Sequence, residues 1–316
     1  MDDERYLSKK PDLRTYMRIA TRISEEEARR QLAFLPESYF RLFSRELLGR
    51  FAGQLAALDA GRPYLYEVVD GEGGLVEVRI FAFERDSFFS LVSGSLSAAG
   101  MDIVSGDIFS YTYAASGGQT GAEAPAGEAG LRRTRGRGGR APGARRRRGL
   151  RSGAGSERMK LVDVFRGRVQ SDVTLDGMRK EISRLLDEVL GTLYDVSGRS
   201  TEERAREKVA EAVSKRLLVR RAQQEVPPLY PIEIDLEEVD ESRRRLKLRS
   251  QDTPFFLYTL GTVLALHSIS IEHVEIKTST DIIEDDFLIR TSAGNPLDGR
   301  EQIDSLKLSI LFTKQF

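Results

Sequence analysis

The feature that most constrains the fold is an internal repeat without gaps. Residues 83–110 read FERDSFFSLVSGSLSAAGMDIVSGDIFS, and residues 250–278 read SQDTPFFLYTLGTVLALHSISIEHVEIKT. At a constant offset of 168 residues, six apolar positions coincide across a helix-like run, a turn and a strand-like run. These pairs are Phe88 and Phe256, Val92 and Leu260, Leu96 and Leu264, Met101 and Ile269, Ile103 and Ile271, and Ile108 and Ile276. A match of this length predicts a structural duplication.

The residues around each copy repeat the same order of elements. Two strand-like runs around an Asp-Gly-Glu-Gly-Gly turn precede the first copy, and the runs IEIDLEEV and RLKLRS precede the second. Each copy is followed by an acid-led strand, VDVFRG in the first and EDDFLIR in the second. Helices are predicted over about 174–190 and 200–222, and DSLKLSILFT near the C-terminus is predicted as a strand. The pattern therefore predicts an α+β chain with two related halves.

An amphipathic helical segment precedes the first copy. Over residues 24–58 the apolar side chains keep near-helical spacing, and Ser24 followed by Glu27 is typical of a capping box. Pro36 is expected to divide this segment into two helices, because proline cannot continue a helix from its interior.

One stretch of the chain differs sharply from the rest. Residues 114–158 hold almost no large apolar side chain, so the segment is predicted to be disordered. Within it, residues 131–151 contain ten arginines and no acid, which leaves 39 bases against 49 acids elsewhere. The run could bind nucleic acid electrostatically, although it lacks interleaved aromatics, or be a low-complexity insertion that a loop tolerates. Both interpretations remain open.

Several classes of function find no support in the composition. The chain has no cysteine and only two histidines, His267 and His273, so neither thiol chemistry nor a metal site is predicted, and no cofactor is expected. No apolar run approaches the roughly 18 residues that a membrane helix needs, and the first residues do not resemble a secretory signal. A cytoplasmic protein without a membrane partner is the expectation.

The two copies resemble ACT domains, and their tandem resembles the regulatory region of PII uridylyltransferases and related nitrogen-regulation nucleotidyltransferases. The family's Asp-Arg-Pro-Gly-Leu-Leu-like loop resembles Glu-Arg-Asp-Ser-Phe-Phe in the first copy and Asp-Thr-Pro-Phe-Phe-Leu in the second, and its Asp-x-Phe strand resembles two later triplets. The corresponding residues are Glu84 to Phe89, Asp252 to Leu257, Asp163 to Phe165 and Asp285 to Phe287. FLPESYFRLFSRELLGRFAGQLAAL resembles the helical segment that precedes the tandem in those enzymes.

The resemblance implies a fold and a domain plan. It implies an α+β chain of two ferredoxin-like βαββαβ (ACT-like) domains behind an N-terminal helical segment. The segment covers residues 1–60, the first domain 61–230 with the insertion at 114–158, and the second domain 231–316. The chain is also expected to be one end of a longer protein.

The same resemblance implies an effector site at the start of each repeat helix. The predicted effector-binding residues are Glu84, Arg85, Asp86, Ser87, Asp252, Thr253, Pro254 and Phe255. Free N–H groups at a helix N-terminus favour a carboxylate, and the acids could hold an α-ammonium. Ser87 and Phe255 replace the signature glycine, and the phenylalanine is expected to close its pocket. The alternative is ordinary capping, with Asp252 as N-cap and Pro254 near the first helical position.

No catalytic constellation accompanies the two copies. The sequence lacks a Gly-Ser followed by paired aspartates, as in nucleotidyltransferases, and a His-Asp pair, as in metal phosphohydrolases. The leading hypothesis is a non-catalytic regulatory module that binds an amino acid such as glutamine and acts on a catalytic domain or protein partner. The alternatives are a nucleic-acid-associated protein acting through residues 131–151 and a purely structural ACT scaffold.

Overall fold

The computed structural model describes most of the chain. The described residues are 6–113, 158–196, 200–221, 232–240, 243–251, 253, 255–279, 282–291, 297 and 299–313. The predicted disordered insertion lies outside them up to residue 157, and so does the arginine-rich run within it.

The described residues form helices and strands in a mixed order. The helices are α1 (Leu13–Ile19), α2 (Glu25–Phe34), α3 (Glu37–Leu42), α4 (Arg45–Ala56), α5 (Phe88–Ala98), α6 (Leu175–Leu193), α7 (Thr201–Arg221), α8 (Phe256–Leu266) and α9 (Arg300–Phe312). The strands are β1 (Tyr64–Asp70), β2 (Val76–Phe83), β3 (Met101–Tyr113), β4 (Arg158–Val169), β5 (Glu233–Glu238), β6 (Arg243–Gln251), β7 (Ile269–Glu275), β8 (Thr278–Ser279) and β9 (Ile282–Thr291).

The strands form one continuous antiparallel sheet. Eight of them lie in the order β1-β2-β4-β3-β7-β9-β6-β5, and the short β8 pairs with β9. The two halves of the sheet meet where β3 pairs with β7, with Asp107 opposite Glu275. The α+β class predicted from the sequence is therefore confirmed.

The repeat seen in the sequence is also a repeat in the structure. Helices α5 and α8 are both 11 residues long and begin at Phe88 and Phe256. β3 and β7 keep the same offset, and each has a register shift at the equivalent point, after Ile103 and after Ile271. A shared bulge position requires the same local backbone path, so the two halves have equivalent local geometry.

Helices cover one face of the sheet and define the main core. The apolar side chains of α5 to α9 pack there against alternate residues of the strands, including Phe165 and Phe287. On the opposite face, α1 to α4 cover the first half of the sheet and bury Phe81, Phe109 and Val162 in a second core. Successive strand residues point to opposite faces, and this alternation supplies both cores from the same strands.

The corresponding outer face of the second half is lined with ion pairs. Lys247 Nζ lies 2.6 Å from Glu237 Oε1, and Arg249 Nε lies 3.1 Å from Glu284 Oε1. Burial alternates along β6, so Arg245, Lys247 and Arg249 lie on one face and Leu246 and Leu248 on the other. The alternating charges of β6 thus make the outer face of this strand polar.

The N-terminal segment is more finely divided than predicted. Ser24 caps α2, because its Oγ accepts the Glu27 N–H at 3.1 Å, and Pro36 precedes α3, so the predicted helix start and the predicted break are confirmed. A second break follows at Phe43, which has extended backbone, and Ser44 caps α4 through the Leu47 N–H at 3.3 Å. The segment therefore forms three helices over residues 24–58 where two were predicted.

The predicted final strand is wrong, because DSLKLSILFT lies within helix α9. Leu306 and Ile310, one helical turn apart, are fully buried. A C-terminal strand would need the sheet edge beside β6, but β5 already occupies that place. The run therefore packs as a helix, and it contacts α8.

Helix α7 packs within the first half, as predicted. Its small apolar residues Ala205, Val209 and Val213 are buried, and the helix lies against α5 and α6. Close approach is possible because α5 carries Gly94 at the crossing, where an added Cβ would lie 2.5 Å from Val209 Cγ1. None of the helices described is long and apolar enough to cross a membrane.

Candidate functional site

A cavity of about 240 Å³ lies between the two repeats. Its floor is the sheet, with Ile108 of β3 and Leu161 of β4, and one wall is the end of α8 and the start of β7. The loop between β2 and α5 and the first turns of α7 complete it. Because residues of both repeats line the cavity, its shape depends on how the two halves are joined.

All four effector-binding residues predicted in the first copy line this cavity: Glu84, Arg85, Asp86 and Ser87. The chain reverses here because Ser87 adopts a left-handed backbone, with φ of 61°, immediately before α5. This conformation is one that glycine adopts most readily, so the glycine-like position expected in the sequence is real although the residue is serine.

Ser87 connects the loop to α7 and does not cap its own helix. Its Oγ donates to Glu202 Oε1 at 3.0 Å and accepts from Arg206 Nη2 at 2.5 Å. Arg206 also forms an ion pair with Glu202. The side chain makes no capping hydrogen bond to the first turn of α5. The N-terminus of α5 is thus left without a side-chain cap beside the cavity.

The other loop residues are held by neighbouring elements. The Glu84 N–H donates to the Met159 carbonyl at 2.8 Å. Burial raises the pKa of the Glu84 carboxyl, and the positive charge of Arg290 opposes that shift. The Arg85 guanidinium lies over the Tyr194 ring, 5.5 Å from its centre. The Glu84 carboxyl is therefore partly buried, and the neighbouring Arg85 guanidinium contacts an aromatic ring.

Asp163 of β4 also lines the cavity, and sequence reasoning did not place it among the site residues. Its side chain is 1% exposed, and its Oδ1 has no hydrogen-bond partner among the described residues. Burial raises the pKa of the Asp163 carboxyl well above its usual range, and the charge of Glu84 adds to the shift. One sequence feature could have identified Asp163: it is an acid at a core-facing position of an alternating strand, between Leu161 and Phe165.

The described site residues predicted in the second copy, Thr253 and Phe255, do not line this cavity. Asp252 and Pro254 lie outside the described residues. Phe255 precedes α8 with the same left-handed backbone as Ser87, φ of 62°, but its side chain is buried in the main core. The alternative with Asp252 as N-cap is wrong, because the N-cap of α8 is Phe255 and its side chain cannot cap. Thr253 does not line the cavity either.

The buried acid has a counterpart in the second half. Asp285 of β9 is 2% exposed and stands two residues before Phe287, as Asp163 stands two residues before Phe165. Asp285 Oδ1 accepts the Lys277 N–H at 3.3 Å. The two acids therefore occupy equivalent positions in environments that differ.

The two histidines take part in separate hydrogen bonds. His267 Nε2 lies 2.9 Å from Ser309 Oγ, and His273 Nδ1 lies 3.1 Å from the Ile108 carbonyl oxygen. Within the part of the chain that the structure describes, no three His, Cys, Asp or Glu side chains are grouped so that they could hold a metal ion.

The comparisons with known proteins add no relative. No protein-family model matches the sequence, and searches of curated proteins and of solved structures found no similar protein. The fold and the cavity therefore carry the functional argument.

Proposed function

We propose that this chain is a non-catalytic regulatory module that binds a small effector, an amino acid, in the cavity between its two repeats. The observation that carries the proposal is the composition of the cavity wall, which comes from the first-copy loop, the second-copy helix and α7. A ligand in such a cavity contacts both halves, so its binding energy can favour one arrangement of the halves over another.

The topology supports the ferredoxin-like interpretation of each half. A βαββαβ unit places its first and third strands in the middle of its sheet. In the first half those places are held by β2 and β4, with α5 and α6 following β2 and β4 in the chain. The last strand of such a unit lies at the sheet edge, and here β1, which comes first in the chain, takes that place. In the second half, β6 and β9 are the middle strands and β5 takes the edge place.

The chemistry of the wall suits a small zwitterion. Arg206 and the uncapped N-terminus of α5 favour a carboxylate, and Glu84, Asp86 and Asp163 favour an ammonium. Apolar side chains such as Leu264 complete the lining. The volume is below the roughly 300–1,000 Å³ of pockets for drug-sized ligands, which fits a metabolite of amino-acid size.

Regulation would follow from differential binding. The effector would stabilise the arrangement in which the β2–α5 loop, α7 and the second repeat close around it, and that arrangement would bias a catalytic partner. On the resemblance noted above, we propose a nitrogen-control nucleotidyltransferase as that partner and glutamine as the first effector to test. The cytoplasmic location and the nucleic-acid hypothesis for residues 131–151 stay predictions from the sequence.

Isothermal calorimetry with each of the 20 common amino acids, together with thermal unfolding in their presence, tests the proposal. We expect one or a few amino acids to bind. Ala265→Phe should abolish that binding, because Ala265 lines the cavity and the larger side chain fills it. Ser97→Phe, the same change at the equivalent place 168 residues earlier, is the matched control and should retain binding.

The negative result is also informative. If no amino acid gives either heat or a shift in unfolding temperature, the effector-binding proposal is refuted and a purely structural scaffold is the better account. Equal binding by the Ala265→Phe and Ser97→Phe proteins would place the ligand elsewhere on the chain.

A further inference from the structure

Asp163 is the one side chain of the cavity floor that has an unsatisfied polar atom among the described residues. It is almost fully buried, and its Oδ1 lacks a hydrogen-bond partner. A buried carboxyl oxygen without a partner costs free energy, so its presence between the apolar core residues Leu161 and Phe165 needs an explanation. The cavity beside it supplies one, because a ligand there can satisfy the atom.

The charges around Asp163 favour a cation as that ligand. Glu84 faces it from the β2–α5 loop, and its negative charge is close enough to affect the Asp163 carboxyl. Tyr194, which follows α6, is also within electrostatic range. Helix α5 contributes no titratable residue. From α7, Glu202 and Arg206 line the cavity but are paired with each other and with Ser87.

We propose that Asp163, assisted by Glu84, binds the ammonium group of the effector, so that the cavity accepts ligands with a free primary ammonium and rejects their deaminated analogues. The assignment rests on the proposed function and narrows it to a ligand class. It makes Asp163 a specificity-determining residue that touches the ligand.

Binding of an ammonium at this place is coupled to a proton. In the empty cavity, burial and Glu84 raise the pKa of Asp163 and favour the neutral acid. An ammonium beside it favours the carboxylate, so the Asp163 O–H bond breaks on binding and the proton passes to solvent. Affinity therefore rises with pH below the empty-cavity pKa of Asp163, by at most tenfold per pH unit for this proton, and levels off above it while the ligand keeps its ammonium group.

Calorimetry with paired ligands tests the assignment. The tightest amino acid of the panel is compared with its deaminated analogue, as L-glutamine with glutaramate, on the wild-type and Asp163→Asn proteins. We expect the analogue to bind at least about tenfold more weakly to wild type. Asp163→Asn should weaken binding of the amino acid by roughly 10- to 100-fold, as expected for loss of a charged hydrogen bond, and leave the affinity for the analogue unchanged.

Asp285→Asn is the matched control, because it makes the same change at the equivalent buried acid of the second half. It should retain wild-type affinity and pH dependence. Asp163→Asn should keep its fold, since it replaces a buried acid by a nearly isosteric amide, and thermal unfolding checks this point. If that variant does not fold, Glu84→Gln, which should reduce affinity in the same direction, replaces it.

Two failures can be told apart. If the amino acid binds the Asp163→Asn protein with wild-type affinity and wild-type pH dependence, the ammonium assignment is overturned while the proposed function stands. If no amino acid binds the wild-type protein, the proposed function fails and this assignment fails with it.

Discussion

The contact between helices α5 and α8 joins the two repeats beside the β3–β7 pairing, and Gly261 lies at this helix contact. A Cβ added to Gly261 would lie 2.7 Å from Phe89 Cδ1, 3.0 Å from Ser90 Cβ and 3.1 Å from Ser90 Cα. The Ser90 Cα belongs to the backbone of α5, so a change of rotamer cannot remove that contact. Gly261→Ala should therefore force the two helices apart by a few tenths of an ångström.

The expected loss of stability combines two opposing effects. Overpacking of a closely packed contact costs about 1–3 kcal/mol. Alanine in place of glycine within a helix returns about 1 kcal/mol. The unfolding free energy should therefore fall by up to about 2 kcal/mol, and the melting temperature by up to roughly 8 °C if this chain resembles domains of 150–250 residues.

Urea denaturation followed by circular dichroism measures this change. Gly53→Ala is the control, because Gly53 lies in α4 and an added Cβ there meets nothing within 4 Å. That variant should be more stable than wild type by up to about 1 kcal/mol. A Gly261→Ala protein as stable as Gly53→Ala would refute the close contact between α5 and α8. Gly261 also lines the cavity, so its variant should bind the effector more weakly as well.

Two further changes test local features of the fold. Ser268→Gly should raise the unfolding free energy by up to about 1 kcal/mol, because Ser268 has φ of 54°. Gly100→Ser at the equivalent position, where φ is 92°, should lower the unfolding free energy by at least as much. Chemical denaturation of both proteins measures the two changes. Tyr111→Phe should lower the unfolding free energy by about 1–3 kcal/mol, since it removes a buried hydroxyl that donates to Glu27 at 2.9 Å. Tyr66→Phe, which removes a hydroxyl at a more exposed site, should lower it less in the same chemical denaturation.

Local patterns were sufficient to predict most of the elements. The hairpin β1–β2, helices α5 to α8 and strands β3, β4 and β9 follow from periodicity and from turn residues such as Gly100, which follows α5 with φ of 92°. These features depend on neighbours within a few residues. The duplication could be recognised for the same reason, since a constant offset preserves every local pattern.

The C-terminal run shows where local patterns fail. Its apolar residues suit either a strand or a helix over a short window. The choice depended on whether a sheet edge was free, and β5, more than 60 residues earlier in the chain, had already taken it. Only the assembled sheet contains that information.

The residues of the candidate site also include some that the sequence could predict and others that it could not. The loop residues 84–87 could be named from the sequence because they are contiguous and precede a repeat helix. Asp163 and Arg206 could not, since they are separated from the loop by tens of residues and reach the cavity only through strand pairing and helix packing. The second loop could not be excluded either, because the burial of Phe255 is a property of the packed core.

Local sequence patterns establish an α+β chain with two related halves, each with a helix that starts after a tight, glycine-like turn. The tertiary structure decided that the halves share one sheet, that a cavity lies between them, and that one copy supplies its loop while the other buries the equivalent residue. The physical reason is the separation along the chain over which each effect acts. Backbone preference and apolar periodicity act over a few residues, whereas pairing, burial and the raised pKa of Asp163 depend on groups that only folding brings together.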